Sequence, residues 1–377
     1  MLVDNAPLVN PADPPTPAAD AATGPVLLDI DVHPVSERTV CAQVAAALGS
    51  RGTRWQATVP AGSVQGWLPD VVARLRAEVS SAVRAGAPGT VHAFGWRAAV
   101  VATAARRPDD ATCVVAHLGD GPADTWVSGA AAAAEARLGW AAARSADLVV
   151  LDSEWALERA IAHGIPRSAL VKEMPVAPDW ATATPWRAGA KDQPRTVLAV
   201  GGVGRFAGTG LLMAALSVVD DVRLVVAAPR GASEAQLASA GAWLHTLGQG
   251  ARHRRPEVAA FDEDLLTRCD LVVDASNAPT SVSGVVSAMA HRRAVLTTDV
   301  GSRREIVIAG TTGEVVAVGS PQDLRSQVLR LVRNSFKLEA YGEAGLERSR
   351  ASFSAVRRAE LVLRLDHGQA QPLRSSA

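Results

Sequence analysis

The chain has 377 residues, of which 48% are hydrophobic and 20% charged, so it holds enough apolar mass for two globular cores. Its 38 basic and 38 acidic side chains cancel, which argues against a protein that binds nucleic acid through its overall charge. It contains no run of about 18 consecutive apolar residues, so we expect no transmembrane helix.

The first half of the chain alternates short β-branched runs with longer segments rich in alanine and leucine. Residues 1–23 are rich in proline and small residues, and we interpret them as a disordered tail. Between residues 24 and 180 the pattern predicts strands at 26–32, 55–59, 90–93, 113–117, 148–151 and 171–174. It predicts helices at 38–48, 68–84, 96–105, 129–143 and 155–163. This alternation indicates βαβ units and a parallel sheet covered on both faces.

The second half repeats the pattern after a break. Small, polar and proline residues at 181–194 predict a linker. Between 195 and 335, strands are expected at 196–200, 223–227, 257–260, 271–274, 294–297 and 314–318. Helices are expected at 209–218, 233–247, 284–291, 323–333 and, within 336–366, at 337–364, before a polar tail at 367–377. Two such domains would hold a ligand in the cleft between them, at the carboxyl ends of the strands.

The three cysteines bear on compartment and metal binding. Cys41, Cys113 and Cys269 are far apart, form no Cys-x-x-Cys pair and are odd in number, so we expect reduced thiols in a cytoplasmic protein. The sequence has no HExxH motif and no cluster of histidine and cysteine, so no metal site is predicted.

A glycine-rich loop follows the first strand of the second half. Gly202, Gly204 and Arg205 lie in it, and the next helix begins near Thr209. Glycines let the backbone approach a ligand closely, and a helix N-terminus offers unpaired N–H groups to a phosphate. The spacing from Gly202 to Ala207 also matches the dinucleotide fingerprint, although no acid follows the second strand as that fingerprint expects. A dinucleotide oxidoreductase and a plain strand-to-helix turn therefore stay as alternatives.

A second motif lies between residues 269 and 321. A loop with Ser283 and Gly284 leads into a helix that ends in Ala288-Met289-Ala290, and a strand and an Asp-x-Gly-x-x-x-Glu loop ending at Glu305 follow. This order resembles the C-terminal nucleotide-sugar-binding domain of the family 4 glycosyltransferases, which have the GT-B fold. Further similar landmarks are His92, His117, Ser153-Glu154-Trp155, Pro175-x-x-x-Asp179 and the Ser352-Phe353-Ser354 segment before the last helix.

The resemblance implies an α/β fold of two doubly wound Rossmann-like domains that face a cleft, with a C-terminal helix crossing back to the N-terminal domain. It implies transfer of a sugar from a nucleotide-diphosphate sugar to an unknown acceptor, with retention and without a metal or other required cofactor. His117 and Arg205 would be catalytic, and His92, His117 and Trp126 would face the acceptor. The donor would be bound by Gly202, Gly204, Arg205, Thr209, Arg230, Ser283, Gly284, Ser287 and Glu305.

Plainer interpretations of three of these residues remain open. His117 would equally serve as a structural histidine whose hydrogen bonds are satisfied inside the fold. His92 would pack or support a loop. Glu305 would cap the segment that follows it.

The donor site departs from the family pattern. The family's paired glutamates fall on Pro279 and Ser287, and no glutamate occurs between positions 263 and 305. Its donor-phosphate lysine has no counterpart, because no lysine occurs between positions 191 and 337. The glycine loop after the first N-terminal strand is also absent. A catalytically impaired GT-B protein, acting as a binding subunit or as the partner of an active glycosyltransferase, is therefore the alternative function.

Overall fold

The computed structural model describes residues 25–31, 40–58, 70–73, 77, 90–106, 112–122, 130–177, 184–187, 193–202, 206–228, 232–247 and 256–366. Within these residues, two parallel sheets of six strands each follow one another along the chain. This is the α/β architecture that the sequence predicts.

The first sheet has the strand order β2-β1-β3-β4-β5-β6, and all of its pairs are parallel. Its strands are β1 (Val26–Asp31), β2 (Thr53–Thr58), β3 (Thr90–Phe94), β4 (Cys113–Gly119), β5 (Leu148–Leu151) and β6 (Leu170–Lys172). Its helices are α1 (Val40–Leu48), α2 (Trp96–Ala105), α3 (Ala130–Ser145) and α4 (Glu154–Ala162). The order of the strands reverses between β1 and β3, and such a switch point opens a crevice at the carboxyl ends of the strands.

The second sheet has the order β12-β11-β10-β7-β8-β9, with its switch point between β7 and β10. Its strands are β7 (Arg195–Ala199), β8 (Val222–Ala228), β9 (Glu257–Ala260), β10 (Leu271–Asp274), β11 (Ala294–Thr298) and β12 (Gly313–Val316). The accompanying helices are α5 (Thr209–Leu216), α6 (Glu234–Leu247), α7 (Glu263–Arg268), α8 (Ser283–Ala290), α9 (Arg303–Ile306), α10 (Pro321–Val332), α11 (Ser335–Ser352) and α12 (Ala355–Asp366).

The last helix returns to the first sheet, as the family resemblance implies. On α12, Val362 belongs to the same buried cluster as Leu27 of β1, and Leu361 to the same cluster as Val150 of β5. Phe353, 1% exposed, sits between α11 and α12 and packs in the core of the second sheet, while its carbonyl accepts a hydrogen bond from the Ala177 amide. Phe353 therefore anchors the chain in the second half immediately before it crosses to the first.

Three helices differ from the sequence prediction. The expected helix at 337–364 is broken at Phe353 into α11 and α12. The short helices α7 and α9 were not expected, because one or two turns carry too little periodicity to stand out. An aspartate, Asp262, caps α7 by accepting from the Leu265 amide.

Two further expectations concern membranes and thiols. Among the residues that the structure describes, every helix is too short or too polar to cross a lipid bilayer. All three cysteines are free, with Cys41 and Cys269 buried and Cys113 half-buried, and burial raises the pKa of each thiol. Thiols of this kind are inert.

Candidate active site

A cavity of about 360 Å³ lies at the carboxyl ends of β1, β3, β4 and β5, next to the first switch point. Phe94, Gly95 and His117 line it from β3 and β4, and Arg358 of α12 contributes from the opposite end of the chain. The remaining described lining residues are Asp29, Ile30, Val40, Cys41, Trp96, Arg97, Leu118, Gly119, Asp152 and Val176. The crossing helix therefore completes a cavity in the first half of the protein.

Two buried histidines form a hydrogen-bonded pair beside this cavity. His92 Nδ1 lies 2.9 Å from His117 Nε2, and the His117 ring stacks on Phe94 with centroids 4.4 Å apart. Arg358 Nη1 lies 3.4 Å from His117 Nδ1. A guanidinium can only donate, so His117 Nδ1 accepts and its Nε2–H donates to His92 Nδ1. Both rings are therefore assigned as Nε2–H tautomers.

Both histidines are held in the neutral form. Burial lowers the pKa of His92 to about 3. The pKa of His117 lies well below its usual value. Burial is the largest cause, and the nearby His92 ring and the Arg358 guanidinium lower the pKa further. With both His117 nitrogens engaged, the ring has no hydrogen bond left for an acceptor, which favours the interpretation of His117 as a structural histidine over the predicted catalytic role. The prediction that His92 faces the acceptor also differs from the structure, because His92 is fully buried behind His117.

Arg358 joins the histidine pair to an aspartate at the end of β5. Its Nη2 donates to Asp152 Oδ1 and to the Met174 carbonyl, each at 2.8 Å. Burial raises the pKa of Asp152, and the Arg358 charge opposes that rise. The side chains of Arg358 and Asp152 are 3% and 14% exposed, so this pair is largely shielded from solvent. Such charge-assisted bonds hold both groups in one orientation.

The glycine loop after β7 lies at the second switch point, and its later part is closely packed. Gly202 has a φ of +82°, and its carbonyl accepts a hydrogen bond from Thr209 Oγ1 at 2.7 Å. Gly208 has a φ of +65°, and a Cβ there would lie 1.7 Å from the Ala275 carbonyl oxygen. Thr209, predicted to bind the donor, is 1% exposed and holds the loop in place instead.

A buried ion pair fills the space behind this loop. Arg303 Nε and Nη2 donate to Asp274 Oδ2 at 2.8 and 2.7 Å, and neither side chain is more than 1% exposed. Asp274 Oδ1 accepts from the amide and hydroxyl of Ser276, while Arg303 Nη2 also reaches Thr280 Oγ1 at 2.7 Å. These bonds fix the segment between β10 and α8, where the family pattern has a glutamate at position 279.

Helix α8 places its three predicted donor residues differently. Gly284 packs against Val200, where a Cβ would lie 2.7 Å from the valine Cβ. Ser287 is 1% exposed within the helix, so it is not accessible to a donor. Ser283 is exposed at the start of the helix and its hydroxyl accepts from Ser281. Of the three, Ser283 alone is open to a ligand.

Glu305 connects the two halves of the molecule. Its carboxylate accepts from the amides of Glu154 and Trp155 at 3.0 and 3.3 Å, at the N-terminus of α4, and pairs with Lys172 at 2.8 Å. Partial burial works against ionisation, but the two amides and Lys172 outweigh it and lower the pKa of Glu305. The prediction that Glu305 binds the donor is therefore replaced by a cap on a helix of the other half.

A second contact between the halves lies beside the first. Ser302 donates to Asp120 Oδ2 at 2.8 Å, and Ser153 donates to Asp120 Oδ1 at 3.3 Å. Burial, together with the charge of Asp152, raises the pKa of Asp120 to about 6. The segment 301–305 is thus docked on the carboxyl ends of β4 and β5.

Four predicted site residues, Gly204, Arg205, Arg230 and Trp126, lie outside the described residues. In the part of the chain that the structure describes, no group of three or more histidine, cysteine or carboxylate side chains could hold a metal ion. Sequence reasoning missed Arg358, Asp152 and Asp274. Asp152 and Asp274 carried a signal, since a polar residue at the carboxyl end of a buried strand marks the ligand edge of a parallel sheet.

Solved structures share this architecture over most of the chain. Sucrose-phosphate synthase from Thermosynechococcus elongatus aligns with a TM-score of 0.71 at 16% identity, covering 92% of this chain and 100% of that one. Anabaena HepE in complex with UDP aligns with a TM-score of 0.67 at 16% identity, with the same coverage. The chain has the GT-B fold.

Two sequence comparisons bear on the family. Residues 194–334 match the family model described as glycosyl transferases group 1. The matched range contains all six strands of the second sheet. A lipopolysaccharide core biosynthesis mannosyltransferase, LpcC of Rhizobium leguminosarum bv. viciae, is 32% identical over 77 residues. That alignment covers 20% of this chain and 22% of the mannosyltransferase.

Proposed function

We propose that this protein is a glycosyltransferase that moves a sugar from a nucleotide-diphosphate sugar to an acceptor. The match of residues 194–334 to the group 1 glycosyltransferase model carries the proposal. It is supported by the GT-B fold and by structures of HepE with UDP and with UDP-glucose, which are similar to this chain in fold. The order of motifs after residue 269 favours family 4, with retention of configuration and no metal.

The donor diphosphate is proposed to lie over the second switch point. The loop after β7 brings Gly201 and Gly202 to the N-terminus of α5, whose first amides favour a negative charge. Arg205 would stabilise the charge that develops on the leaving diphosphate, and Arg230 would follow β8 toward the same edge. Gly204 would keep the loop close to the phosphates, and Ser283 would meet the sugar.

One observation favours the alternative of a non-catalytic GT-B subunit that supports an active glycosyltransferase. The space behind the donor loop is filled by the Arg303–Asp274 pair, at a site where the family pattern places a glutamate. A buried pair of this kind holds a loop in place without offering either charge to a ligand. A cytoplasmic location is part of both proposals, supported by the three free, inert cysteines.

Calorimetric titration with UDP and GDP separates the two functions. A glycosyltransferase binds one of the two, and Arg205→Ala weakens that binding roughly 10- to 100-fold because a charge-assisted bond to phosphate is lost. Arg223→Ala is the matched control, since Arg223 is exposed on β8 and pairs with Glu257 of β9. Incubation with a panel of nucleotide sugars then measures donor hydrolysis. Absence of both binding and hydrolysis would reject the enzyme and leave the non-catalytic subunit.

A further inference from the structure

We propose that Asp152, held by Arg358, is the residue that contacts the acceptor hydroxyl, and that His117 is a positioning residue behind it. The acceptor would be an uncharged carbohydrate or similar polyol. The inference rests on the proposed function, because it names the group that receives the acceptor in that same reaction.

The first step is the hydrogen-bonding capacity of His117. A neutral imidazole has one donor and one acceptor. The acceptor, Nδ1, faces Arg358 Nη1 at 3.4 Å, and the donor, Nε2–H, faces His92 Nδ1 at 2.9 Å. No further bond is left for a hydroxyl, although the ring lines the cavity. His117 therefore supports the wall and passes no bond into the cavity.

The second step is the carboxylate of Asp152, which lines the same cavity. Its Oδ1 accepts from Arg358 at 2.8 Å, whereas Oδ2 receives no donor from the residues that the structure describes. Gly119 lies beside Oδ2, with a hypothetical Cβ 3.4 Å away, so the missing side chain keeps this oxygen open. A carboxylate oxygen has two lone pairs, and one bond from a hydroxyl O–H fits it without any covalent step.

The third step is the charge of the cavity wall. Asp29 and Asp152 stand against Arg97 and Arg358, so the described charges balance. Asp29 pairs with Arg54 at 3.7 Å and Arg97 with Glu135 at 3.6 Å, which leaves their charges partly neutralised. Phe94 and Trp96 add apolar ring surface. A balanced wall with one open carboxylate oxygen and aromatic surface suits a neutral polyol better than an anion or a cation.

The role of Arg358 follows from its two partners. It binds Asp152 through Nη2 and His117 through Nη1, so one guanidinium sets the orientation of the carboxylate and the tautomer of both histidines. Because Arg358 lies on α12, this part of the cavity forms only when the last helix has crossed back. Arg358 is a positioning residue.

The test compares Asp152→Asn with His117→Gln and His117→Asn, using hydrolysis of UDP-glucose or GDP-mannose, in which water takes the place of the acceptor. Asp152→Asn keeps an oxygen for Arg358 but presents an amide where Oδ2 was. We expect hydrolysis to fall roughly 10- to 100-fold, with UDP or GDP affinity unchanged, and the His117 variants to lose clearly less. A loss in both His117 variants that equals or exceeds that of Asp152→Asn would overturn the inference while leaving the proposed function intact.

A spectroscopic measurement tests the histidine assignment without turnover. Nitrogen NMR of histidine-labelled protein should show His92 and His117 as neutral Nε2–H rings from about pH 5 to pH 8. Arg358→Lys, which can still donate to Nδ1, should retain this signature, and Arg358→Met should lose it. A His117 ring that titrates in the wild type near its ordinary pKa would overturn the inference. Wild-type protein that binds neither nucleotide would remove the proposed function and this inference together.

Discussion

Replacing Arg303 with methionine tests whether the buried ion pair holds the segment between β10 and α8. The variant replaces the guanidinium with a shorter apolar side chain and leaves the Asp274 carboxylate, 1% exposed in the wild type, without its cationic partner. Breaking a buried pair by removing one partner costs about 3–5 kcal/mol, because the remaining charge has no compensation. For a domain of this size that corresponds to a fall of roughly 6–20 °C in the unfolding temperature.

Urea denaturation of a double-mutant cycle separates the pair from simple loss of packing. In Arg303→Met with Asp274→Asn, the asparagine oxygen still accepts from Ser276, and no buried charge remains. We therefore expect the double variant to be about 2 kcal/mol more stable than Arg303→Met alone. Arg304→Met is the control, since Arg304 pairs with Asp299 at the surface, and its denaturation midpoint should match that of the wild type. Additive single effects, or an Arg303→Met cost within experimental error, would refute the reasoning.

Three further changes address the contacts between the halves and the glycine loop. Glu305→Gln should weaken the contact between the two halves, because it removes the charge that caps α4 and pairs with Lys172. Small-angle scattering should then show a larger radius of gyration than in the control Glu343→Gln, whose carboxylate pairs with Arg292. Asp120 has a pKa raised from 3.8 to about 6, so wild-type stability is lost as the pH rises through that interval. In urea denaturation, Asp120→Asn should therefore match the stability of the wild type below about pH 4. Above about pH 6 it should be more stable by roughly 2–3 kcal/mol. A stability difference that stays constant across this pH range would contradict the raised pKa of Asp120. Gly208→Ala should lower the unfolding temperature far more than Gly202→Ala. A Cβ at position 208 would lie 1.7 Å from the Ala275 carbonyl oxygen, whereas a Cβ at position 202 would have none of the described atoms within 4 Å.

The two sheets could be predicted from the sequence because they rest on local patterns. Short buried strands and amphipathic helices repeat along the chain, and parallel pairing follows from their alternation. The family resemblance then supplied the return of the last helix. Helix α7 escaped prediction because its six residues span less than two turns.

The site could be predicted only where its residues lie next to a strand end. Arg358 meets His117 across 241 residues of sequence, and no spacing rule links them. Glu305 matched a motif, yet its carboxylate is used by amides 150 and 151 positions away. Arg303 lies in the same motif, and nothing local indicated that its guanidinium turns inward to Asp274. Such contacts depend on how the two halves face each other, which local pattern does not encode.

The return of α12 has a consequence for how the protein is made. A ribosome completes residues 355–366 after every strand of both sheets, yet Val362 and Leu361 cover apolar side chains of the first sheet. During synthesis, the first sheet therefore emerges before α12 and exposes these apolar side chains until the chain is complete. Nascent chains that stop before Phe353 should depend on chaperones, and the supply of a separate α12 peptide should relieve that dependence.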